Sequence, residues 1–332
     1  MGARIRSFLR AALVAVAGLE AIYLLGAHVV LNTPLGTRLF NRAPERFHIA
    51  WTLAVTPWPG FVHLRGVETG GMSRTIQWHA RVESVSASFK VRPLLDRVVD
   101  LGQVRAAGIE YAQRPRLDPD ALPPPEAQEW PVFEGVANPP TGPGAGIGPP
   151  RPPRPAWTVR ADRICGTVTQ IWIGRYRFAG AANLDAALDL VARGAIALPR
   201  LDYHMAQGDL FVGAERIFES MRFDVTGRLD PFTPRGRAAA DVIRSLSGRF
   251  DLDARNGSFK FLEVYFTKAQ GLRLDGGGPM RLTMLLDHGR LLEGSSIERH
   301  QDRIDTTFLD TRVQKTKTMH TNVRTIDDIP TS

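Results

Sequence analysis

The stretch Phe47-His48-Ile49-Ala50-Trp51-Thr52-Leu53-Ala54-Val55-Thr56 alternates large apolar residues with small or polar ones. Successive side chains of a β-strand point to opposite faces, so a period of two indicates a strand with one buried face. The same alternation recurs, between glycine and proline turns, to about residue 296. The sequence therefore predicts a mainly β fold with a few short helices, arranged as a curled antiparallel sheet that forms a groove.

The alternation changes phase once within the next strand. Apolar residues stand at even positions from Ile76 to Val82 and at odd positions from Val85 to Phe89. An extra residue in a strand produces such a slip, so we expect a bulge or bend near Glu83-Ser84. Pro93 then opens a short helical turn, because proline is tolerated at the first helical position.

A membrane-spanning segment precedes the strands. Arg4, Arg6 and Arg10 stand before an apolar run over residues 11–31, which contains one acidic residue, Glu20. A helix of that length crosses a hydrocarbon core of about 30 Å, and basic residues before it favour a cytoplasmic amino terminus. We expect an uncleaved signal anchor in a bacterial inner membrane, with a single pass and a periplasmic body. The alternative is a removable signal peptide cleaved after Ala15-Val16-Ala17.

Composition divides the rest of the chain. Residues 115–156 hold 14 of the 24 prolines, and such a segment buries too little apolar surface to order itself, so it is predicted to be a linker. Apolar spacings of three and four residues predict short helices at 236–247 and 258–269. The chain is therefore predicted to consist of a cytoplasmic terminus (1–10), the anchor (11–31), a first β region (32–114), the linker (115–156), a second β-rich region (157–296) and a disordered tail (297–332).

Charge and motifs exclude several classes of function. The net charge is +8 over 332 residues, but the arginines are scattered rather than gathered on one face, which argues against nucleic acid as a partner. The single Cys165 allows no internal disulfide. Asp251 and Asp253 share one face of a strand without any accompanying catalytic motif, and no histidine pair has metal-ligand spacing. We expect a protein that is not an enzyme and has no cofactor.

A sheet with one apolar face must cover that face. The candidates for its lining are Phe47, Ile49, Trp51, Leu53, Val55, Ile76 and Trp78. If the sheet curls into a trough, membrane lipids are the expected partners, with phospholipid acyl chains lying in it. The ordinary alternative is the closed core of a β-sandwich.

The order of these features resembles the AsmA-like proteins, which are related to TamB and to chorein-type lipid-transfer proteins. The similar stretches are the anchor, Thr56–Val67, Val82–Phe89, Pro93–Leu95, Gly108–Tyr111, Gly248–Ala254, Leu272–Gly278 and Leu291–Ser295. The resemblance implies an inner-membrane helix, a periplasmic β-groove and a role in envelope lipid transport or outer-membrane homeostasis. The alternative is a non-catalytic scaffold that binds other envelope proteins. The long linker departs from the family, and the unpatterned tail raises the expectation of a truncated chain.

Overall fold

The computed structural model describes residues 2–41, 47–72, 76–117, 122–133, 156–191, 194–233, 242–256, 273–308 and 311–322. Two α-helices come first, α1 at Gly2–Leu31 and α2 at Pro34–Phe40. Two short 3₁₀ helices occupy Arg92–Asp96 and Pro125–Glu129. The strands are β1 (Phe47–Ala50), β2 (Leu53–Val55), β3 (Phe61–Met72), β4 (Ile76–Lys90), β5 (Val98–Pro115), β6 (Thr158–Ile173), β7 (Tyr176–Val191), β8 (Ile196–Val212), β9 (Glu215–Phe232), β10 (Leu246–Asn256), β11 (Arg273–Asp287), β12 (Arg290–Leu291), β13 (Ser296–Phe308) and β14 (Thr311–Asn322).

All of these strands belong to one open, curled sheet, which confirms the predicted fold class. The strand order is β1-β3-β4-β5-β6-β7-β8-β9-β10-β11-β13-β14, with β2 beside β3 and β12 beside β11. The two predicted β regions are therefore halves of a single sheet. One pair departs from the predicted antiparallel pattern, because β5 and β6 run parallel. A parallel pair needs a long return connection, and the proline-rich linker supplies it.

The helix α1 is confirmed as a segment long and apolar enough to cross a membrane, over Leu13–Leu31. Two asparagines, one after the end of α1 and one after the end of α2, fix the helices to the free edge of the sheet. The Asn32 amide accepts a hydrogen bond from the Ala54 N–H and donates one to the Ala54 carbonyl, both at 2.8 Å. Asn41 does the same for Ile49, at 2.8 and 2.9 Å. These side chains occupy edge groups of β1 and β2 that a further strand would otherwise pair with.

The predicted irregularity near Glu83 is present, and it extends over three strands. Glu83 lies opposite Gly66 on β3 and Gly108 on β5, at the point where both ladders skip a pair. The two glycines have φ values of +57° and +65°, which a residue with a side chain rarely adopts. The register of β3, β4 and β5 is the same on both sides of this point, so the three strands change parity together, and β5 carries one residue more than β6 there.

The tail prediction was wrong for the described residues beyond 296. They form β13 and β14, which continue the sheet. The sequence there is rich in threonine, a residue that favours strands although it adds little apolar surface. The predicted helix at 236–247 was wrong at its carboxyl end, because β10 already begins at Leu246; residues 242–244 are helical. The helix predicted at 258–269 lies outside the described residues.

The linker prediction also needs correction, because residues 122–133 pack against the sheet. The Arg114 guanidinium, from the end of β5, donates to the Gln77 amide at 2.9 Å and to the Pro131 carbonyl at 3.2 Å. It also lies 4.5 Å from the centre of the Phe133 ring. Pro131 and Phe133 are buried. Phe133, the buried Arg114 and an ion pair of Glu129 with Arg175 in the β6–β7 turn, at 2.8 Å, therefore hold this part of the linker to the sheet despite its proline content.

Candidate functional site

The apolar side chains of the strands form rows that run across the sheet. One row at its centre passes from Ala106 on β5 through Gly166, Leu184 and Tyr203 to Val225 on β9, each residue directly opposite the next. The next row contains Ile109, Val168, Ala182, Met205 and Phe223, in the same strand order. We call the surface made by these rows the apolar face.

The apolar face extends along most of the strand length. Beyond the two central rows lie one row on the far side and three towards the start of β5; these are Tyr111-Ile171-Phe178-Leu210-Phe218, Val104-Ile164-Ala186-Leu201, Leu101-Ala161-Leu188 and Val99-Val159-Leu190-Ile196-Phe232. Six rows make five steps of roughly 6.7 Å, or roughly 33 Å of apolar surface along the strands. A single acyl chain spans one leaflet, roughly half of a 30 Å hydrocarbon core.

The centre of the face is a packed cluster. Met205 and Met221 are each 1% exposed, and they pack with Val168, Ala182, Leu252 and Ala254 among larger half-buried neighbours such as Phe178 and Phe223. In the described part of the chain the substantial helix contacts with the sheet are those of α1 with β2, of α2 with β1 and of the first 3₁₀ helix with β5. None of these helices lies over the central strands, so side chains of the curled sheet itself bury the cluster.

A shallow cleft of about 720 Å³ runs along the central row. Its lining combines that row with polar and charged residues of the two neighbouring rows, which belong to the opposite face: Arg105, Cys165, Thr167, Asn183, Asp185, Asp202, His204, Asp224 and Thr226. The Tyr203 ring packs edge-on against Phe223, with ring centres 6.1 Å apart, and burial raises the pKa of its hydroxyl to about 12. Tyr203 therefore stays neutral at physiological pH.

The opposite face of the same strands is ionic. Asp185 accepts hydrogen bonds from Arg163 and Arg200, each at 2.6 Å, and Asp251 binds Arg249. The hydrogen bond from Arg163 is the main reason that the pKa of Asp185 lies below its ordinary value. Burial would raise the pKa of Asp224, but hydrogen bonds from His204 and Arg222 outweigh it and lower that pKa. We call this surface the polar face.

The structure places the seven predicted lining residues in three different settings. Phe47, Ile49, Ile76 and Trp78 lie on the apolar face at its far end from α1, and the Phe47 and Trp78 rings are 6.3 Å apart. Leu53 and Val55 flank Ala54, which continues the central row through Leu64; they therefore point to the opposite face. The Trp51 indole donates to the Leu31 carbonyl at 2.9 Å and so belongs to the α1 attachment.

The seven predicted lining residues do not share one face because the strand that carries most of them is broken. The predicted continuous strand over 47–56 is two strands, β1 and β2, with a break at Trp51-Thr52 beside the Gly66 irregularity. The alternation thus changes phase inside it, and one parity no longer means one face. The rows on β6 to β9 escaped the sequence analysis. Alternation marked their strands, but only the register shows which positions of neighbouring strands form a row.

Two further clusters contain titratable side chains, one beside the linker and one on β10. A cavity of about 160 Å³ lies between the sheet and the linker, lined by Glu68, His79 and Phe133 among others; burial lowers the pKa of His79, and the Glu68 carboxylate opposes that shift. Asp251 and Asp253 do share one face, but both take part in ion pairs with arginines. Within the described ranges, His, Cys, Asp and Glu side chains do not group as a metal site would require. The apolar face is therefore the stronger candidate.

Comparison of the chain with protein-family models, with curated proteins and with solved structures gives no match. Its function is therefore inferred from the geometry of the sheet and of its attached helix.

Proposed function

We propose that the protein is a single-pass inner-membrane protein with a periplasmic β body, which carries phospholipid acyl chains along its apolar face. This is the role of an AsmA-like protein in envelope lipid transport or outer-membrane homeostasis. The observation that carries the proposal is the set of six apolar rows on one face of the sheet. A surface that long and that apolar is costly to leave in water, and acyl chains match its chemistry.

The polar face supports the same proposal. Its arginine–aspartate pairs keep that side of each strand hydrated, so lipid contact is restricted to one side. The apolar helix α1 at one corner of the sheet supplies a tether to a membrane. The polar face and α1 together indicate a β body that is held beside a bilayer and has one apolar face.

Site-specific photocrosslinking tests lipid contact without removing apolar side chains from most of the face. A photoreactive amino acid is placed at Leu184, in the central row, and in a matched variant at Asn183, the adjacent residue on the polar face. The full chain is expressed in a Gram-negative host and irradiated in cells, and adducts are read by mass spectrometry. We expect phospholipid adducts at Leu184 and none at Asn183.

Equal lipid labelling at both positions, or no lipid at Leu184, would contradict the proposal. The compartment is tested separately with topology reporters fused after Asn32 and after Arg154. A periplasmic reporter active at both positions is expected, and activity of a cytoplasmic reporter at either would overturn the assigned side.

The second candidate function, an envelope scaffold, is favoured by one observation. Leu122 and Val132 belong to the linker segment held on the sheet, yet both side chains are strongly exposed. Exposed apolar residues on an ordered segment suit a protein partner. Photocrosslinks from Leu122 to another envelope protein, with no lipid adduct at Leu184, would favour the scaffold over lipid transport.

A further inference from the structure

The carboxyl-terminal part of α1 lies alongside β2 rather than ahead of the sheet. At its end, Asn32 is bonded to Ala54. Two turns earlier, the Tyr23 hydroxyl is 2.6 Å from the Thr56 hydroxyl. Eight residues of helix separate Leu31 from Tyr23, a rise of about 12 Å. The strand end at Thr56 is thus level with a point about 12 Å inside the apolar span.

Helix length decides whether that part of α1 is in the bilayer. Residues 11–22 lie between Arg10 and Tyr23, and they rise only about 18 Å, much less than a hydrocarbon core of about 30 Å. A crossing therefore requires the segment from Tyr23 to Leu31 as well. Any part of the sheet level with Tyr23 must then lie at or below the membrane surface.

The end of the sheet at that level carries exposed apolar side chains. Trp58 lies in the β2–β3 turn, Leu95 in the first 3₁₀ helix, and Val91 and Trp157 beside them; all four are exposed, Leu95 by 86%. The turns are joined by hydrogen bonds, from the Phe89 N–H to the Gly60 carbonyl at 2.7 Å and from the Thr158 N–H to the Arg97 carbonyl at 3.0 Å. We call these four residues the rim.

We propose that the rim inserts into the periplasmic leaflet of the membrane that α1 crosses, an inference that rests on the proposed anchor. Its occupant is the phospholipid bilayer itself. Tryptophan and leucine side chains are typical of such insertion. Arg92 and Arg97 are exposed on either side of Leu95, where they meet anionic headgroups.

The insertion gives the apolar face a supply of lipid. Its outermost row begins at Val99 and Val159, and Val159 is two residues from Trp157. An acyl chain leaving the leaflet at the rim therefore passes directly onto apolar side chains without crossing water. The linker-covered end of the sheet is the far end.

Depth-dependent quenching tests the insertion on the full chain in vesicles. With Cys165→Ser as background, single cysteines replace Leu95 at the rim, Leu25 in α1 and Leu122 at the far end, and each is labelled with an environment-sensitive fluorophore. Leu122 is the matched control, since it is 93% exposed, as open as Leu95. The vesicles contain phosphatidylethanolamine, phosphatidylglycerol and a phosphatidylcholine with a spin label on its acyl chain.

We expect the labels at Leu95 and Leu25 to be quenched to a similar extent and the label at Leu122 to remain bright. Quenching at Leu25 without quenching at Leu95 would overturn rim insertion while leaving the anchor and the lipid-carrying face in place. Absence of quenching at Leu25 and Leu95 would overturn the anchor, and the rim proposal with it. Equal quenching at Leu122 and Leu95 would mean that the body lies flat on the bilayer, which also contradicts insertion by the rim.

Discussion

The two faces of β6 to β9 use the same backbone for opposite purposes. Leu184 and Tyr203 stand opposite each other on the apolar face, while their neighbours Asp185 and Asp202 stand opposite each other on the polar face. Packing among apolar rows gains free energy from every square ångström removed from water. Exposed ion pairs gain little, because water already solvates both charges. The apolar face therefore stabilises the fold, and the polar face keeps it soluble and one-sided.

The largest predicted effect follows from truncating the centre of the apolar face. Met205→Ala removes a side chain that is fully buried among Val168, Met221 and Leu252. The cavity and the lost transfer energy should lower the free energy of unfolding by about 2–5 kcal/mol. Urea unfolding of the full chain in detergent micelles, followed by circular dichroism, measures the loss.

The matched control is Gln207→Ala. The register slips by one residue between Met205 and Gln207, so Gln207 lies opposite Ala181 on the polar face, and it is exposed. It should change the free energy of unfolding by less than about 0.5 kcal/mol. A comparable loss in both variants would mean that the two faces contribute alike, contrary to the packing argument.

Much of this contrast could be predicted from alternation alone. The β class, the phase slip at Glu83 and the helical turn at Pro93 are all present. Alternation reports the faces of one strand at a time. It could not show that Ala54, not Leu53, joins the apolar face, because the break at Trp51-Thr52 changes the phase. It also could not show the parallel β5–β6 pair, which depends on where the linker returns.

A smaller effect is expected where the polar face is covered by residues 122–133. Arg114→Ala removes the hydrogen bond to the Pro131 carbonyl and the contact with the Phe133 ring. Loss of a charged, buried donor should cost about 1–3 kcal/mol and release the segment. Limited proteolysis should then cleave residues 122–133 several-fold faster than in the unmodified chain.

Arg105→Ala serves as the control, since Arg105 is an exposed residue on the same strand. Its cleavage rate should match that of the unmodified chain. If Arg114→Ala leaves the cleavage rate unchanged, the segment is held by other contacts, such as the ion pair between Glu129 and Arg175. Composition could not predict this attachment, because it depends on one arginine reaching Pro131 across 17 residues of sequence.

The smallest effect belongs to an exposed pair on the polar face, Arg163 with Asp185. Their charged atoms are 2.6 Å apart, and the side chain of Arg163 is exposed while that of Asp185 is half-buried. Because water still reaches the pair, a double-mutant cycle with Arg163→Gln and Asp185→Asn should give a coupling of about 0.2–1 kcal/mol at pH 7. The pKa of Asp185 lies below its ordinary value because Arg163 donates to the carboxylate. A lowered carboxyl pKa means that the unfolded chain takes up this proton first. The coupling is therefore fully present above about pH 5 and is lost as the pH falls through the folded pKa, below about 4.

In 1 M salt the coupling between Arg163 and Asp185 should vanish at every pH, because screening acts on exposed charges. A coupling above about 2 kcal/mol that resists salt would instead show that the polar face is dry and takes part in packing, and the one-sided description of the sheet would fail.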